Sequence, residues 1–163
     1  MEQLAAQVGA ALKAHGMMLA TAESCTGGGV ASAVTEIAGS SSWFDRGFVT
    51  YSNQAKSDML GVLPDTIMRF GAVSEAVVRE MVAGALSHSQ AQVALAVSGI
   101  AGPGGGTPEK PVGTVWFAWG VKDGMIVART HLLPGNRAEI REQATGIALQ
   151  GVLDLLGQRT ETV

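Results

Sequence analysis

The run TAESCTGGG, residues 21–29, places three nucleophile-type side chains next to one another and follows them with glycines. Ser24, Cys25 and Thr26 each carry a hydroxyl or thiol that attacks a carbonyl carbon once it loses its proton. A helix that begins near Thr26 would offer free N–H groups, and glycines would let a ligand approach them closely. Residues 24–29, here called the first glycine loop, therefore predict an anion or oxyanion site; the alternative is an ordinary glycine-eased helix start.

A serine nucleophile needs a neighbouring group that takes its proton. No histidine lies in a comparably polar, glycine-rich setting, so a Cys–His pair is not indicated, and Cys25 is of a type that more often packs as a small buried residue. Lys56, which follows Tyr51 in YSNQAK, is a candidate base if burial lowers its pKa. Lys110 is another, and a solvated lysine is the alternative at both positions. Residue types alone do not rank the two lysines.

A second glycine-rich run, SGIAGPGGG, covers residues 98–106, here called the second glycine loop. Its spacing matches neither a P-loop nor a dinucleotide fingerprint. Ser98 and the N–H groups from Gly99 onward would hold a carbonyl or phosphate; the alternative is a plain loop. Arg137 and Arg141 stand in the first turns of the predicted last helix, against its dipole. They indicate a bound anion, for which a phosphate suits the guanidinium fork, or they are simply solvated.

The elements that must position these residues follow an α/β order. Short apolar or β-rich runs predict strands at 17–22, 47–52, 92–99, 112–121 and 125–133, the last two joined by a hairpin turn at Asp123-Gly124. Helices are predicted at 2–14, from near Thr26, through QAKSDMLG with Ser52 or Asn53 as cap, at Pro64, from Ser74, and from Asn136 to about Leu156 with a frayed tail over 157–163.

This order predicts a sheet with helices on both faces and at least one antiparallel strand. Ligands in open sheets of this kind gather where strands end in loops. We therefore expect the two glycine loops to lie side by side and to form one site. The length of 163 residues predicts a single domain over 1–163.

Composition and charge exclude several classes of function. The net charge is −3 and no Lys/Arg cluster occurs, which argues against a nucleic-acid partner. The chain has no apolar run long enough for a membrane span, and Glu2 stands where a signal peptide would be basic, so we expect no membrane partner and a cytoplasmic location. One cysteine and three scattered histidines predict no structural metal.

Five segments occur in an order that points to a known family: TAESCTGG, GSSSWFDRGFVTYSNQAK, GAVSE, SGIAGPGGG and KPVGTVWFAW. Together they closely resemble the CinA C-terminal domain family, also called the competence/damage-inducible protein family, in its stand-alone form. The resemblance extends from Leu4 to about Leu156. It implies a three-layer α/β/α sandwich with a mixed, mostly parallel sheet. It also implies hydrolysis of nicotinamide mononucleotide to nicotinate mononucleotide and ammonia, in pyridine nucleotide (NAD) salvage and without a cofactor.

The resemblance also implies roles for individual residues. Family members are serine amidohydrolases with a Ser-Lys dyad, which falls on Ser24 and Lys56 here, with Tyr51 from the same motif as the lysine. We expect an acyl-enzyme whose ammonia receives its proton from Lys56 or Tyr51. The residues expected to bind substrate or orient the loop that does so are Glu23, Thr26, Gly27, Gly28, Ser98, Gly99, Arg137 and Arg141, where Arg137 with or without Arg141 holds the 5′-phosphate.

Two other functions stay open at this point. The same loops would also serve a non-catalytic nucleotide-binding or regulatory module, and the same dyad would hydrolyse another amide or ester. In each case the partner is a small molecule. The resemblance and the stretch SSSWF, which we expect to be exposed, further predict a homodimer.

Overall fold

The computed structural model describes residues 1–161, with side chains through residue 157. Its strands are β1 (Leu19–Glu23), β2 (Phe44–Val49), β3 (Val93–Gly99), β4 (Thr114–Val121) and β5 (Ile126–Leu132). Its helices are α1 (Glu2–Ala14), α2 (Gly29–Thr35), α3 (Asn53–Leu60), α4 (Pro64–Phe70), α5 (Glu75–Ser87) and α6 (Arg137–Glu161), and a short 3-10 turn spans Ser40–Ser42. Each strand and helix expected from the pattern is present, although some ends differ.

The strands of the described chain lie in the order β2-β1-β3-β4-β5. β1 pairs in parallel with β2 and β3, whereas β4 pairs antiparallel with β3 and β5, so β4 alone among these strands runs in the opposite direction. α1, α2 and α6 cover one face of the sheet, and α5 covers the other with α3 and α4 beside it. The predicted three-layer α/β/α sandwich with a mixed, mostly parallel sheet is confirmed.

The two faces of the sheet differ in side-chain size. On β3, Val93, Leu95 and Val97 belong to the core under α1, α2 and α6, whereas Ala94 and Ala96 face α5. The near-continuous apolar run of β3 is explained by burial on both faces. Because alanines occupy the α5 face, the valines and Met81 of α5 pack directly against the sheet.

α6 is fixed at both ends of its docked length. Asn136 and Glu139 exchange two hydrogen bonds of 2.9 Å, which is the predicted capping box. Further along, the Trp119 indole donates to the Ala148 carbonyl oxygen at 2.8 Å, and a Cβ at Gly151 would lie 2.0 Å from the same indole. Only glycine allows this approach. No helix built by residues 1–161, α6 included, has the length and apolar character that a membrane crossing needs.

Several boundaries differ from the sequence prediction; β4, for example, begins at Thr114 rather than at residue 112. α2 begins at Gly29 rather than near Thr26, because Gly27 and Gly28 adopt left-handed φ angles of 59° and 100°. β1 spans 19–23 rather than 17–22, and β2 spans 44–49 rather than 47–52, so residues 50–52 follow the strand. α6 continues to Glu161 instead of ending near Leu156, so residues 157–161 of the expected frayed tail are helical. Residues 162 and 163 of that tail lie outside the described residues.

The stretch SSSWF was expected to be exposed, and for its tryptophan this is wrong. Trp43 is buried, because its indole packs on α1 at Gly9, where a Cβ would lie 2.5 Å from the ring. Phe44 is half-buried. These aromatic rings therefore contribute to the core, and the predicted homodimer gains no support from them.

Candidate active site

Two neighbouring parallel strands bring the predicted dyad together. Glu23 ends β1 and pairs with Val49, the last residue of β2, so both strands end at the same edge. Ser24 follows β1 directly. After β2, Ser52 caps α3 by accepting a hydrogen bond from the Ala55 N–H at 3.0 Å. This turn of the chain directs Lys56 on α3 back towards the end of β1, and its Nζ lies 3.1 Å from Ser24 Oγ.

The surroundings of Lys56 suit a neutral amine. The side chain is only 1% exposed, and its Nζ donates to the carbonyl oxygens of Thr50 at 3.1 Å and Tyr51 at 3.2 Å. Carbonyl oxygens only accept, so they occupy two N–H bonds of Lys56, and the third position of Nζ faces Ser24 Oγ. An ammonium donates to that oxygen, whereas a neutral amine directs its lone pair at the hydroxyl, which otherwise donates to the Tyr51 carbonyl oxygen at 3.4 Å. Burial lowers the pKa of Lys56 from its usual value, against a weaker opposing effect of Cys25. Lys56 therefore has the position and the direction of pKa shift that a base for Ser24 would need.

Cys25 lies beside Ser24 and is the weaker nucleophile. Its thiol is 6% exposed, and burial raises the pKa of Cys25 to about 11. It therefore stays protonated near neutral pH, where only a thiolate would attack. Its sulfur packs near Gly99, where a Cβ would lie 3.1 Å away. Cys25 thus forms part of the wall of the site.

A cavity of about 260 Å³ opens over the dyad. Its lining brings together six residues predicted for the site with others that were not: Ser24, Cys25, Tyr51, Asn53, Lys56, Ala72, Val73, Ser98, Gly99, Ala101 and Arg137. The two glycine loops do meet here, as expected. Arg137 supplies a guanidinium to this lining and none of the lining side chains is a carboxylate, so the cavity suits an anionic substrate.

Glu23 is a predicted substrate-binding residue that does not line the cavity. Its carboxylate is buried and accepts hydrogen bonds from the Thr26 hydroxyl at 2.5 Å and from the N–H groups of Val30 at 2.9 Å and Ala31 at 3.0 Å. These contacts fasten the first glycine loop to the start of α2. Glu23 therefore orients the loop and does not face a ligand.

The N–H groups expected to hold an oxyanion are only partly free. Gly27 N–H donates to the Ser24 carbonyl oxygen at 3.0 Å within a tight turn, so it is already used. The N–H groups of Thr26 and Gly28 have no acceptor among the residues that the structure describes. Of the expected set, Thr26 and Gly28 remain as donors, although none of Thr26, Gly27 and Gly28 is among the residues that line the cavity.

The two arginines of α6 have different partners. Arg137 lines the cavity, and its guanidinium donates to the Gly102 carbonyl oxygen at 2.9 Å and to the Tyr51 hydroxyl at 3.1 Å. Arg141 lies outside the lining and donates to the carbonyl oxygens of Cys25 at 3.0 Å and Thr26 at 3.4 Å. Arg137 therefore remains available to a phosphate at the cavity, whereas Arg141 is engaged by the first glycine loop.

Tyr51 contributes its main chain to the dyad and its ring to the rim. The residue is 60% exposed and its hydroxyl is held by Arg137, whereas its carbonyl oxygen accepts from Lys56. The sequence prediction offers the Tyr51 phenol as an alternative to Lys56 as the proton donor to the departing ammonia. Ser98 is buried, and its hydroxyl donates to the Ala72 carbonyl oxygen at 2.9 Å, which leaves its oxygen as an acceptor at the cavity.

Five lining residues were not predicted as site residues: Cys25, Asn53, Ala72, Val73 and Ala101. The sequence analysis treats Cys25 as a buried residue and Asn53 only as a helix cap. Ala72 and Val73 lie in the segment between α4 and α5, where their apolar side chains gave no chemical signal. Their segment GAVSE is nevertheless one of the five segments that carry the family resemblance, and this membership was the signal that would have found them.

The groove between β5 and α6 and the surroundings of Lys110 lack this combination of groups. A groove of about 350 Å³ lies between β5 and α6, and its lining contains no serine, cysteine or lysine. Lys110, the other candidate base, donates to the Phe70 carbonyl oxygen at 2.7 Å and is absent from the cavity lining. Within the described chain, no group of three His, Cys, Asp or Glu side chains is arranged to hold a metal ion.

Comparison with known proteins gives a consistent result over nearly the whole chain. The model of the CinA C-terminal domain matches residues 1–156. Nicotinamide-nucleotide amidohydrolase PncC of Escherichia coli strain K12 is 55% identical over 158 residues, 97% of this chain and 96% of that protein. The protein of the same name from Pseudomonas putida is 49% identical over 153 residues, with 93% and 94% covered. The crystal structure of competence/damage inducible protein CihA from Agrobacterium tumefaciens superposes with a TM-score of 0.91 at 48% identity, covering 94% of each chain.

Proposed function

The chain belongs to the CinA C-terminal domain family, and we propose that it hydrolyses the carboxamide of nicotinamide mononucleotide to nicotinate mononucleotide and ammonia, in NAD salvage. The observation that carries the proposal is the buried Lys56 amine 3.1 Å from Ser24 Oγ. The name of these relatives, nicotinamide-nucleotide amidohydrolase, supports this substrate. The Arg137 guanidinium in the cavity lining suits its phosphate.

The first half of the reaction forms an acyl-enzyme. Neutral Lys56 takes the hydroxyl proton of Ser24, and Ser24 Oγ forms a bond to the carboxamide carbon while the carbonyl electron pair moves to its oxygen. The N–H groups of Thr26 and Gly28 stabilise that oxyanion. As the carbonyl re-forms, the C–N bond breaks and the Lys56 ammonium gives its proton to the departing nitrogen, which leaves as ammonia.

The second half consumes water. Lys56, neutral again, removes a proton from a water molecule that attacks the acyl carbon, and the ester bond to Ser24 breaks with the proton returned to Oγ. Nicotinate mononucleotide is released. We assign both proton transfers to Lys56 rather than to the Tyr51 phenol, because that hydroxyl lies at the exposed rim in the grip of Arg137.

Substrate binding is assigned to the residues around the mouth of the cavity. Arg137 offers its guanidinium to the 5′-phosphate, and Tyr51 holds that guanidinium in place. Ser98 and the Gly99 main chain lie deeper and contact the nicotinamide side of the substrate. Neither the formation nor the hydrolysis of the acyl-enzyme requires a cofactor.

The test is ammonia release from nicotinamide mononucleotide by the purified chain between pH 6 and pH 10. We expect turnover that rises with pH as Lys56 loses its proton, because its pKa is lowered. Ser24→Ala and Lys56→Ala should each lose turnover, and Cys25→Ala, the matched neighbour, should keep it. Ammonia release that survives in Ser24→Ala would overturn the dyad. Binding of the mononucleotide without ammonia release by wild type would make the chain a binding module, and faster hydrolysis of another amide or ester would change the substrate.

Two finer expectations accompany this function. The homodimer stays a prediction, and the molar mass in solution by light scattering tests it. The cytoplasmic location also stays a prediction, and cell fractionation tests it.

A further inference from the structure

We infer that Arg141 positions the oxyanion-binding part of the first glycine loop and so controls turnover without touching the substrate. The inference rests on the proposed function, because an oxyanion forms only if Ser24 attacks a carbonyl. It gives Arg141 a role that the sequence pattern, which suggested a phosphate ligand, did not contain.

The guanidinium of Arg141 holds two successive carbonyl groups directly after the nucleophile. Its Nε donates to the Cys25 carbonyl oxygen at 3.0 Å and its Nη2 to the Thr26 carbonyl oxygen at 3.4 Å. Arg141 is half-buried, and the ion pairs found within the described chain do not include it. Its charge-assisted hydrogen bonds are therefore directed at the loop rather than at a carboxylate.

Peptide geometry links this contact to the oxyanion donor. In a trans peptide the C=O group and the following N–H group point in opposite directions. Because the Cys25 carbonyl oxygen faces Arg141, the Thr26 N–H points to the other side of the loop. That N–H has no acceptor in the described chain, and Cys25 lines the cavity whereas Arg141 does not. Holding the Cys25 carbonyl thus fixes the direction in which Thr26 donates.

The loop needs such a clamp because of the residues that follow. Gly27 and Gly28 have left-handed φ angles and, as glycines, few steric limits on rotation. A Cβ at Gly27 would lie 3.3 Å from Arg141 Nη2, so the guanidinium also packs closely on this part of the main chain. Glu23 holds the Thr26 side chain, and Arg141 holds the peptide groups.

Arg137 provides the contrast on the same helix. It lies one turn before Arg141 and lines the cavity, so its loss should weaken substrate binding and raise KM. Arg141 contacts only the loop, so its loss should lower kcat and leave KM nearly unchanged. The two arginines therefore separate binding from turnover.

The experiment compares Arg141→Met and Arg141→Lys with Arg129→Met, an exposed arginine on β5, in the full chain. For Arg141→Met we expect kcat to fall about 100-fold, as for loss of one oxyanion donor, with KM changed less than about threefold. Arg141→Lys keeps the charge and one donor, so its kcat should lie between wild type and Arg141→Met. The dissociation constant of nicotinate mononucleotide and the pH midpoint of kcat should stay at wild-type values, because the contacts of Lys56 are intact.

Several outcomes would overturn the inference. A kcat for both Arg141 variants equal to that of Arg129→Met would show that the clamp is not needed. A raised KM with unchanged kcat would make Arg141 a phosphate ligand. If Arg141→Met fails to fold, Arg141→Lys decides alone, with thermal unfolding to verify that it is native. If folded wild type releases no ammonia, the proposed function fails and this inference falls with it, whereas active wild type beside normal Arg141 variants removes only the inference.

Discussion

The two glycine loops are similar in composition but differ in how they are held. In the first glycine loop, residues 24–26 are buried, Gly27 is exposed, and the loop is fastened from two sides by Glu23 and Arg141. The second glycine loop, residues 98–106, starts buried at Ser98 and is exposed from Pro103 to its end. Arg137 holds it at the Gly102 carbonyl.

The difference shows what glycine richness does and does not indicate. Glycines mark places where the main chain is free to turn or approach something, but they do not say whether anything fixes the turn. In the first loop, the buried Glu23 carboxylate and the half-buried Arg141 guanidinium fix it and leave N–H groups in defined directions. In the second loop, only the first few residues meet the cavity. A functional site is therefore expected where a glycine-rich segment is held in one conformation by hydrogen-bond donors and acceptors from other parts of the chain.

The largest expected effect is that of replacing Lys56, the proposed base beside Ser24. Lys56→Met removes the base and should abolish detectable ammonia release. It should also change the pH dependence of stability. Because the folded pKa of Lys56 is lowered from 10.5, the unfolded chain binds more protons between that lowered value and 10.5, and wild-type stability rises with pH there.

The comparison of unfolding free energies by urea at pH 7 and near pH 10.5 checks this. The difference between Lys56→Met and wild type should move in favour of the variant as pH falls from 10.5. A difference that stays constant over this range would show that burial of Lys56 carries no protonation penalty.

The next effect concerns the fastening of the first loop to α2. Glu23→Gln keeps the size of the side chain but replaces one acceptor oxygen by an amide donor, which faces N–H groups at the start of α2. We expect a loss of about 3 kcal/mol in unfolding free energy. Ammonia release should also fall, because the first glycine loop loses one of the two acceptor oxygens that fasten it to α2. Glu139→Gln at the start of α6 is a matched surface control; equal losses in both variants would remove the special status of the first loop.

A smaller effect on stability is expected from alanine substitutions in the second glycine loop, where a constrained glycine and an open one can be compared. A Cβ at Gly99 would lie 2.7 Å from Val115 Cγ2 and 3.1 Å from the Cys25 sulfur, so Gly99→Ala should destabilise the chain by about 2 kcal/mol through overpacking. Gly104 has no atom within 4 Å of such a Cβ, so Gly104→Ala should be nearly neutral. Thermal unfolding of both variants measures the difference. Equal midpoints would mean that the buried start of this loop is no more constrained than its exposed part.

The smallest expected effect is that of the thiol. Cys25→Ala should cost about 1 kcal/mol of stability from the small void it leaves. kcat should change by less than about threefold, because Arg141 contacts the Cys25 main chain and not its sulfur. Steady-state ammonia assays measure kcat and denaturation measures stability. A large loss of kcat would mean that the side chain acts in the reaction.

The local features of the fold were predictable from sequence because short-range rules govern them. The Ser74 cap, the Asn136 capping box and the hairpin at Asp123-Gly124 depend on neighbouring residues alone, and each is confirmed. The start of α2 was wrong by three residues, because the φ angles of Gly27 and Gly28 depend on what the surrounding chain demands.

The site was predictable in part of its membership but not in its contacts. The ends of adjacent parallel strands and the family motifs placed Ser24 and Lys56 together. Residue types alone did not rank Lys56 above Lys110; the family motif selected Lys56, and its burial gives the physical reason. The contact of Lys56 with the Tyr51 carbonyl depends on the turn between β2 and α3, whereas the contact of Arg141 with a loop more than a hundred residues earlier depends on how α6 docks on the sheet.

Because Gly151 contacts the Trp119 indole directly, a larger side chain at this position would tilt α6. Arg137 lies fourteen residues before Gly151, a distance of about 21 Å along the helix axis. A tilt of about 3° at the Gly151 contact moves the Arg137 end of the helix by about 1 Å, a displacement able to reduce a rate on the order of 100-fold. A side chain at Gly151 would thus displace Arg137 at the cavity, and engineering of this chain for stability should leave Gly151 unchanged.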